Sequence, residues 1–287
     1  MSNVNFLING RRAAVGALVV AVTAALGLVA TPGIAAAASF SSFSAGVFAP
    51  GQVKHVWWNN ANSDAYAPGL QAVGVDDPDV FCNVEVLRTW YQRTSAGERE
   101  FHLEIEGDQA ERCQVTVWLA RLTKFRESAT GDLAPGASKA SVWNNAHSDQ
   151  NIYAVGVLAA QPASGSCAIE VTTQYRTQPN GENEFVYRAT NVGTVTCSAQ
   201  LRHVVLPVYN SLDMIPVNPG IGISIWPELF PVGRKVVVPG AAPAAVSAGP
   251  CQFSVGTTSY VGADSSFTRY KNTGAVACGV KAVFAAL

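Results

Sequence analysis

The chain has 287 residues, of which 14% are charged and 48% are hydrophobic, and its formal net charge is −1. This composition excludes a disordered chain and favours compact, β-rich packing, and the length allows two or three domains. The net charge is small and the sequence has no block of one sign, so it lacks the cluster of basic residues that binds nucleic acid. We therefore expect no nucleic-acid partner.

Residues 1–38 have the three parts of a secretory signal peptide. Arg11 and Arg12 precede the uncharged apolar run Ala13–Ala30, and the small-residue tract Ala35–Ala38 follows. We expect cleavage near Ala38–Ser39. Cleavage there removes both arginines and no acid, so the net charge moves from −1 to −3.

Two alternatives remain open for this leader. The apolar run is near the lower length of a membrane span, so an uncleaved anchor is one of them. The arginine pair also leaves twin-arginine export beside general secretion. Beyond Ala38 no apolar run is long enough to cross a bilayer, so we expect an extracellular protein, either secreted or held to the cell wall.

One pattern occurs three times in the rest of the chain, with a period of about 84 residues. We name the three segments repeat 1 (residues 39–122), repeat 2 (residues 123–206) and repeat 3 (residues 207–287). Each repeat opens with a Pro-Gly turn and a tryptophan, and each contains two cysteines. The six cysteines, in pairs, are Cys82 and Cys113, Cys167 and Cys197, and Cys251 and Cys278.

Apolar and polar residues alternate within each repeat. After the first cysteine of repeat 2, Cys167, Ile169 and Val171 share one face and Glu170 lies on the other. A period of two predicts strands, and turn sequences such as Asn180-Gly181 separate them. Each repeat therefore has about five or six short antiparallel strands, and both of its cysteines lie in phase with the core.

Two cysteines per repeat in an exported chain predict one disulfide within each repeat: Cys82–Cys113, Cys167–Cys197 and Cys251–Cys278. Two strands that flank a third in one flat sheet stand about 9.5 Å apart, whereas a disulfide requires Cα atoms within roughly 7 Å. We therefore expect each bridge to connect two facing sheets. The fold class that follows is all-β, with three tandem antiparallel β-sandwich repeats of about 80 residues.

The strand spacing and cysteine placement resemble those of tandem immunoglobulin-like sandwich proteins of bacterial surfaces. The resemblance implies immunoglobulin-like sandwiches in all three repeats. It does not imply a function, because one fold supports many functions.

The first candidate site is a loop that recurs in repeats 1 and 2 and that we name the W-N-N loop. Its candidate ligand-binding residues are Trp58, Asn59, Asn60 and Asp64 in repeat 1, and Trp143, Asn144, Asn145 and Asp149 in repeat 2. An indole ring stacks on a sugar face while amides and carboxylates bind its hydroxyl groups. By alternation with Ser141, Trp143 points to solvent. The alternative is that the tryptophans close the ends of their sandwiches and the polar residues form turns.

Other patterns are weaker. Asp76, Asp77 and Asp79 precede Cys82 and suit either a calcium loop or a solvated turn, and we favour the turn. The chain has four histidines, none in a known catalytic motif, and we read His102 and His203 as exposed strand residues. We therefore predict no catalytic residues, no metal and no cofactor.

Repeat 3 differs from the others in an apolar stretch, Pro207–Gly249, which we read as an insertion. Exposed, such a stretch suits contact with another protein or a polymer. The alternative is that it covers the neighbouring repeat or forms an edge strand within its own sandwich. Together these features predict a secreted, non-enzymatic binding protein that recognises extracellular glycan or cell-wall polymer through the W-N-N loops. The alternative is a structural or interaction subunit of a surface coat, filament or secreted complex, or an inhibitor of a secreted hydrolase. The sequence does not indicate the oligomeric state.

Overall fold

The computed structural model describes residues 39–77, 82–213, 216–225, 236–261 and 265–287, and the predicted signal peptide lies outside them. Within these residues the chain is built from strands and contains no helix, which confirms the all-β fold class. Accordingly, the described part of the chain has no helix that could cross a membrane.

Each repeat contributes six strands. Those of repeat 1 are β1 (Ser39–Phe48), β2 (Val53–Asn59), β3 (Ala65–Gly74), β4 (Asn83–Thr94), β5 (Arg99–Glu106) and β6 (Cys113–Leu122). Those of repeat 2 are β7 (Arg126–Ala129), β8 (Ser138–Asn144), β9 (Asn151–Ala159), β10 (Ser166–Thr177), β11 (Asn183–Asn191) and β12 (Ala199–Pro207). Those of repeat 3 are β13 (Asn210–Asp213), β14 (Gly222–Ile225), β15 (Val237–Pro243), β16 (Cys251–Val261), β17 (Ser265–Asn272) and β18 (Val280–Ala286).

The six strands have the same antiparallel order in every repeat. The first, sixth and third strands form one small sheet: β1-β6-β3, β7-β12-β9 and β13-β18-β15. The second, fifth and fourth strands lie side by side in the facing layer: β2-β5-β4, β8-β11-β10 and β14-β17-β16. In an immunoglobulin domain the first two strands share a sheet, whereas here they lie in different layers. Here the first strand pairs with the last, as in rolled-up jelly-roll sandwiches.

The disulfides connect the two layers of each repeat. The bridges are Cys82–Cys113, Cys167–Cys197 and Cys251–Cys278, with Cα–Cα distances of 6.0, 5.8 and 5.9 Å. In each pair one cysteine lies at the start of the fourth strand and the other at or just before the sixth, so the bridge crosses from one sheet to the other. The alternation of apolar residues predicted this arrangement because it placed both cysteines on the core side.

The three repeats do not form separate sandwiches in a row. The layers that contain β4, β10 and β16 join into one nine-stranded sheet, because these three strands pair with one another. The ladders join Trp90–Thr94 to Ser166–Glu170, Gln174–Thr177 to Cys251–Ser254, and Tyr260–Val261 to Asn83–Val84. Each strand thus pairs with one neighbour near its beginning and with the other near its end. The result is a closed triangle with approximate threefold symmetry.

The third strands β3, β9 and β15 meet behind this triangle. Ala65, Ile152 and Val236 occupy equivalent positions in the three repeats and share one hydrophobic cluster. Close contact between repeats requires glycine at one place: a Cβ atom on Gly156 of β9 would lie 2.5 Å from the Cβ of Ala65 in repeat 1. Gly240 of β15 is equivalent and packs against repeat 2, including Ile152.

The apolar stretch of repeat 3 is not an insertion. Pro207–Gly249 supplies β13, β14 and β15, the counterparts of the first three strands of the other repeats. Its valines at 236, 237 and 238 are buried, whereas Tyr209 and Ile221 are more than half exposed. As the alternative predicted, the stretch supplies edge strands to its own sandwich, β13 and β14 among them, and Val236 and Val238 share a hydrophobic cluster with residues of repeats 1 and 2. Residues 226–235, with Trp226 among them, lie outside the described residues.

Candidate functional site

The W-N-N loops form the same tight turn in repeats 1 and 2. Asn60 and Asn145 both have a positive φ, 56° and 55°, a conformation that asparagine adopts more readily than most residues. The next residues, Ala61 and Ala146, are buried, and their N–H groups donate to carbonyls of the adjacent loop or strand at 2.9 Å. The polar residues of these loops therefore have a conformational role in each turn.

The loop tryptophans pack against their own sandwiches. Trp58 is half-buried with its ring centroid 5.8 Å from that of Phe43. Trp143 lies 5.0 Å from Tyr153 and has the Arg126 guanidinium 3.8 Å from its ring centroid. The expectation that Trp143 points to solvent is wrong, because β8 turns the preceding residue, Val142, outward instead. Both rings are half-buried and pack against aromatic residues of their own repeat.

The two loop aspartates have different surroundings. Asp64 accepts a hydrogen bond from Arg202 of repeat 2 at 2.7 Å and another from the N–H of Lys124 at 3.1 Å, so it links two repeats. Asp149 is exposed, as are Asn59, Asn60, Asn144 and Asn145. The structure therefore does not bring the eight predicted residues together around an accessible aromatic ring.

Of the weaker candidates, the described acidic residues before Cys82, Asp76 and Asp77, are exposed, whereas two of the histidines are buried against expectation. Asp76 forms an ion pair with Arg112 at 3.2 Å, and Asp79 lies outside the described residues. Among the described residues no group of three or more potential metal ligands occurs. His102 and His203 are 4% and 0% exposed, so their interpretation as surface residues is wrong.

A different surface brings chemically active side chains together in repeat 1. On the outer face of β2, β5 and β4, nine side chains form three rows across three strands, which we name the outer grid. The rows are His55–Glu104–Arg88, Trp57–His102–Trp90 and Asn59–Glu100–Gln92. Directly opposed residues on antiparallel strands are close enough for their side chains to interact.

The middle row of the outer grid is a stack of aromatic rings. His102 lies between the two tryptophans, 4.9 Å from Trp90 with a 7° interplanar angle and 6.2 Å from Trp57. His55 stacks on Trp90 and His102 at 4.8 and 5.0 Å. Trp57 stands on the edge strand and is 49% exposed, whereas Trp90 is 8% exposed. The accessible aromatic surface of the grid is therefore the indole of Trp57, supported from behind by His102.

A chain of hydrogen bonds fixes the imidazoles. The Nε2 atom of His102 lies 3.0 Å from Oε2 of Glu100, and its Nδ1 lies 2.8 Å from Nε2 of His55. Because a carboxylate only accepts, the Nε2–H of neutral His102 donates a hydrogen bond to Glu100, and its Nδ1 accepts a hydrogen bond from the Nε2–H of His55. Gln92 also donates to Glu100 at 2.9 Å. Burial lowers the pKa of His102 below its usual value, and the bond to Glu100 opposes this shift.

Repeat 2 lacks the aromatic row, and in repeat 3 Trp226, which follows its Pro-Gly turn at the same spacing as Trp57, lies outside the described residues. In repeat 2 the equivalent row is Val142–Val186–Gln174, whereas the next row, Asn144–Glu184–Arg176, keeps the asparagine and the glutamate. Alternation along each strand could have indicated the outward side chains. The register between strands, which creates the rows, has no signal in the sequence.

Repeat 2 contains a second polar cluster inside its sandwich. The Nε2 atom of His203 lies 2.9 Å from Oγ of Ser128 and 3.4 Å from the hydroxyl of Tyr187. Its Nδ1 is buried without a hydrogen-bond partner among the described residues. Burial, with a smaller contribution from Arg126, lowers the pKa of His203 to about 4. Among the described residues, the Ser128–His203 pair therefore lacks the acid that orients the histidine of a catalytic triad. The imidazole of His203 is also a weak base, because its pKa is lowered.

Comparisons of the chain with protein-family models, with curated proteins and with solved structures found no match. Its function must therefore be inferred from its own geometry.

Proposed function

We propose that the protein is an exported, non-enzymatic binding protein that recognises extracellular glycan or cell-wall polymer through the outer grid of repeat 1. The observation that carries the proposal is the half-exposed indole of Trp57, which stacks on the ring of His102. Three disulfides are compatible with an extracellular location. Of the W-N-N loop residues, Asn59 belongs to this site, and Trp57 directly precedes Trp58 of the loop.

The grid offers the two kinds of contact that a sugar ring needs. The free face of Trp57 can stack on the apolar face of a pyranose. Asn59 and His55 flank it on the same strand and are exposed, and they supply an amide and an imidazole to the hydroxyl groups. Glu100 lies in the row of Asn59, where its carboxylate holds the imidazole chain and the amide of Gln92. A rigid aromatic ring with fixed polar neighbours binds with little loss of conformational entropy.

Binding of the mature protein to insoluble cell-wall polysaccharide and to soluble glycans tests this proposal. Trp57→Ala removes the stacking surface and should weaken binding by about 2 kcal/mol, or roughly thirtyfold, as expected for an aromatic anchor. The matched control is Val142→Ala, because Val142 occupies the equivalent outward position in repeat 2 and is 44% exposed. Equal retention of the Trp57 and Val142 variants would reject the grid as the site.

A second candidate function is a structural or interaction subunit of a surface assembly. The observation that favours it is the presence of three edge strands, β2, β8 and β14, at equivalent places in the shared sheet. Edge strands can pair with another chain. Size-exclusion chromatography with light scattering distinguishes the two functions: a monomer that retains polysaccharide supports binding, and an ordered oligomer without glycan affinity supports assembly.

A further inference from the structure

The triangle of β4, β10 and β16 surrounds an opening. The ladders join these strands only near their ends, so Glu85–Thr89 of β4 and Val171–Thr173 of β10 lie between ladders. Behind the opening is a cavity of about 400 Å³, closed on its far side by β3, β9 and β15. All three repeats contribute to its wall, so the cavity exists only because the ring of repeats is closed.

The wall of the cavity is mainly apolar and repeats with the threefold symmetry. Val86, Val171 and Val255, each four residues after the first cysteine of its repeat, line the wall. Val86 is buried, and the other two are half-buried. The third strands add Tyr66 and Tyr153, at equivalent positions of β3 and β9, to the opposite side. A ligand inside would therefore contact hydrocarbon and aromatic surface on every side.

The mouth of the cavity is more polar than its wall. The next residue in each repeat, Leu87, Thr172 or Gly256, is exposed and lies at the mouth. Glu170, on the same strand face as Thr172, adds a carboxylate there, and Thr173 adds a hydroxyl to the lining. These groups can accept or donate hydrogen bonds at one end of a ligand whose remainder is apolar.

One charged group at the mouth is already engaged. Arg88 forms an ion pair with Glu104 at 3.4 Å, and its guanidinium lies 4.7 Å from the ring centroid of Trp90. Its side chain belongs to the outer grid and is 41% exposed. Among the described lining residues of the cavity it is the one cation, and Glu104 offsets its charge.

We propose that this cavity is a binding site for one small, mainly apolar molecule with a hydrogen-bonding group at one end. Its volume of about 400 Å³ lies within the usual range for small-molecule sites of roughly 300–1,000 Å³. It is between two and three times the size of an apolar cavity of about 150 Å³ that binds benzene. Two or three fused or linked rings, or an acyl chain of similar volume, fit this description. Since the site lies on the symmetry axis, each chain binds one molecule, not three.

Titration of the mature protein with N-phenyl-1-naphthylamine, a neutral aromatic probe whose fluorescence rises in apolar surroundings, tests the site. Saturable binding with one site per chain is expected. Val171→Trp fills the cavity, and Thr172→Trp covers its mouth from an exposed position that tolerates a larger side chain. Each should weaken binding by about tenfold or more, since the apolar contacts are then made by the protein itself.

Val142→Trp is the matched control because it adds the same indole to an exposed position of repeat 2 that does not line the cavity. It should leave the affinity for the probe unchanged, and so should Trp57→Ala, which separates this site from the glycan site. If Val171→Trp does not fold, Thr172→Trp with native circular dichroism still decides the question. Absence of saturable binding, three sites per chain, or unchanged affinity of Thr172→Trp would overturn the proposal.

Discussion

Substitution of Gly156 by alanine tests the closed arrangement of the repeats. A Cβ atom at this position would overlap the carbonyl oxygen of Asp64 and lie 2.5 Å from the Cβ of Ala65, both in repeat 1. The obstacle is backbone, so repeats 1 and 2 would have to separate locally. Overpacking of this kind costs typically about 1–3 kcal/mol, and a backbone obstacle places the cost near the upper end.

Restriction of the unfolded chain by alanine offsets about 0.4–1 kcal/mol of this cost. The net loss of about 2 kcal/mol corresponds to a fall in Tm of roughly 4–8 °C for a chain of this size. Differential scanning calorimetry of the mature, oxidised protein measures it. Gly222→Ala is the control, because its nearest neighbour would be the carbonyl oxygen of Tyr270 at an ordinary 3.7 Å. A Gly156→Ala protein as stable as the wild type would refute the contact between repeats.

Two further predictions concern repeat 2. Replacement of Cys167 and Cys197 by alanine opens a loop of 30 residues and should lower the free energy of unfolding in guanidinium by about 3–4 kcal/mol. For His203, the pKa of about 4 in the folded protein lies below the ordinary value of 6.5, so the unfolded chain binds the extra proton first. Stability due to this residue is present above pH 6.5 and is lost as the pH falls towards 4, by at most about 3 kcal/mol. In urea melts from pH 7 to pH 4, His203→Gln should show a smaller loss than the wild type; an identical loss would contradict this reasoning.

The parts of the fold that follow from the alternation of apolar and polar residues along a strand were predictable from the sequence. Cys167 and Ile169 were placed on the core side and are buried, and the bridge to Cys197 joins two sheets. The same rule also applies to His203, which continues the phase of Ala199 and Leu201, so its burial was readable from the sequence. The alternation of the strand thus predicts a buried His203, in contrast to its interpretation as a surface residue.

The order of strands and the closure of the ring were not predictable in this way. The pairing of Ser166–Glu170 with Trp90–Thr94 joins residues more than 70 positions apart and has no local sequence pattern. The outer grid depends on register for the same reason. Trp57 and Trp58 are adjacent, and only the pairing of Trp58 with buried Phe101 shows that Trp57 is the one turned outward.

The two proposed sites place different demands on the three repeats, and this explains where the repeats differ. The outer grid needs only β2, β5 and β4, so one repeat can carry an aromatic row while repeat 2 has Val142 and Val186 at the same places. The cavity needs all three fourth strands to pair in a ring, so the valine four residues after the first cysteine is present in every repeat. Residues that close the ring contact two neighbouring repeats at once, whereas the rows of the outer grid join only strands of repeat 1. Recognition on the outer face can therefore change in one repeat without opening the cavity.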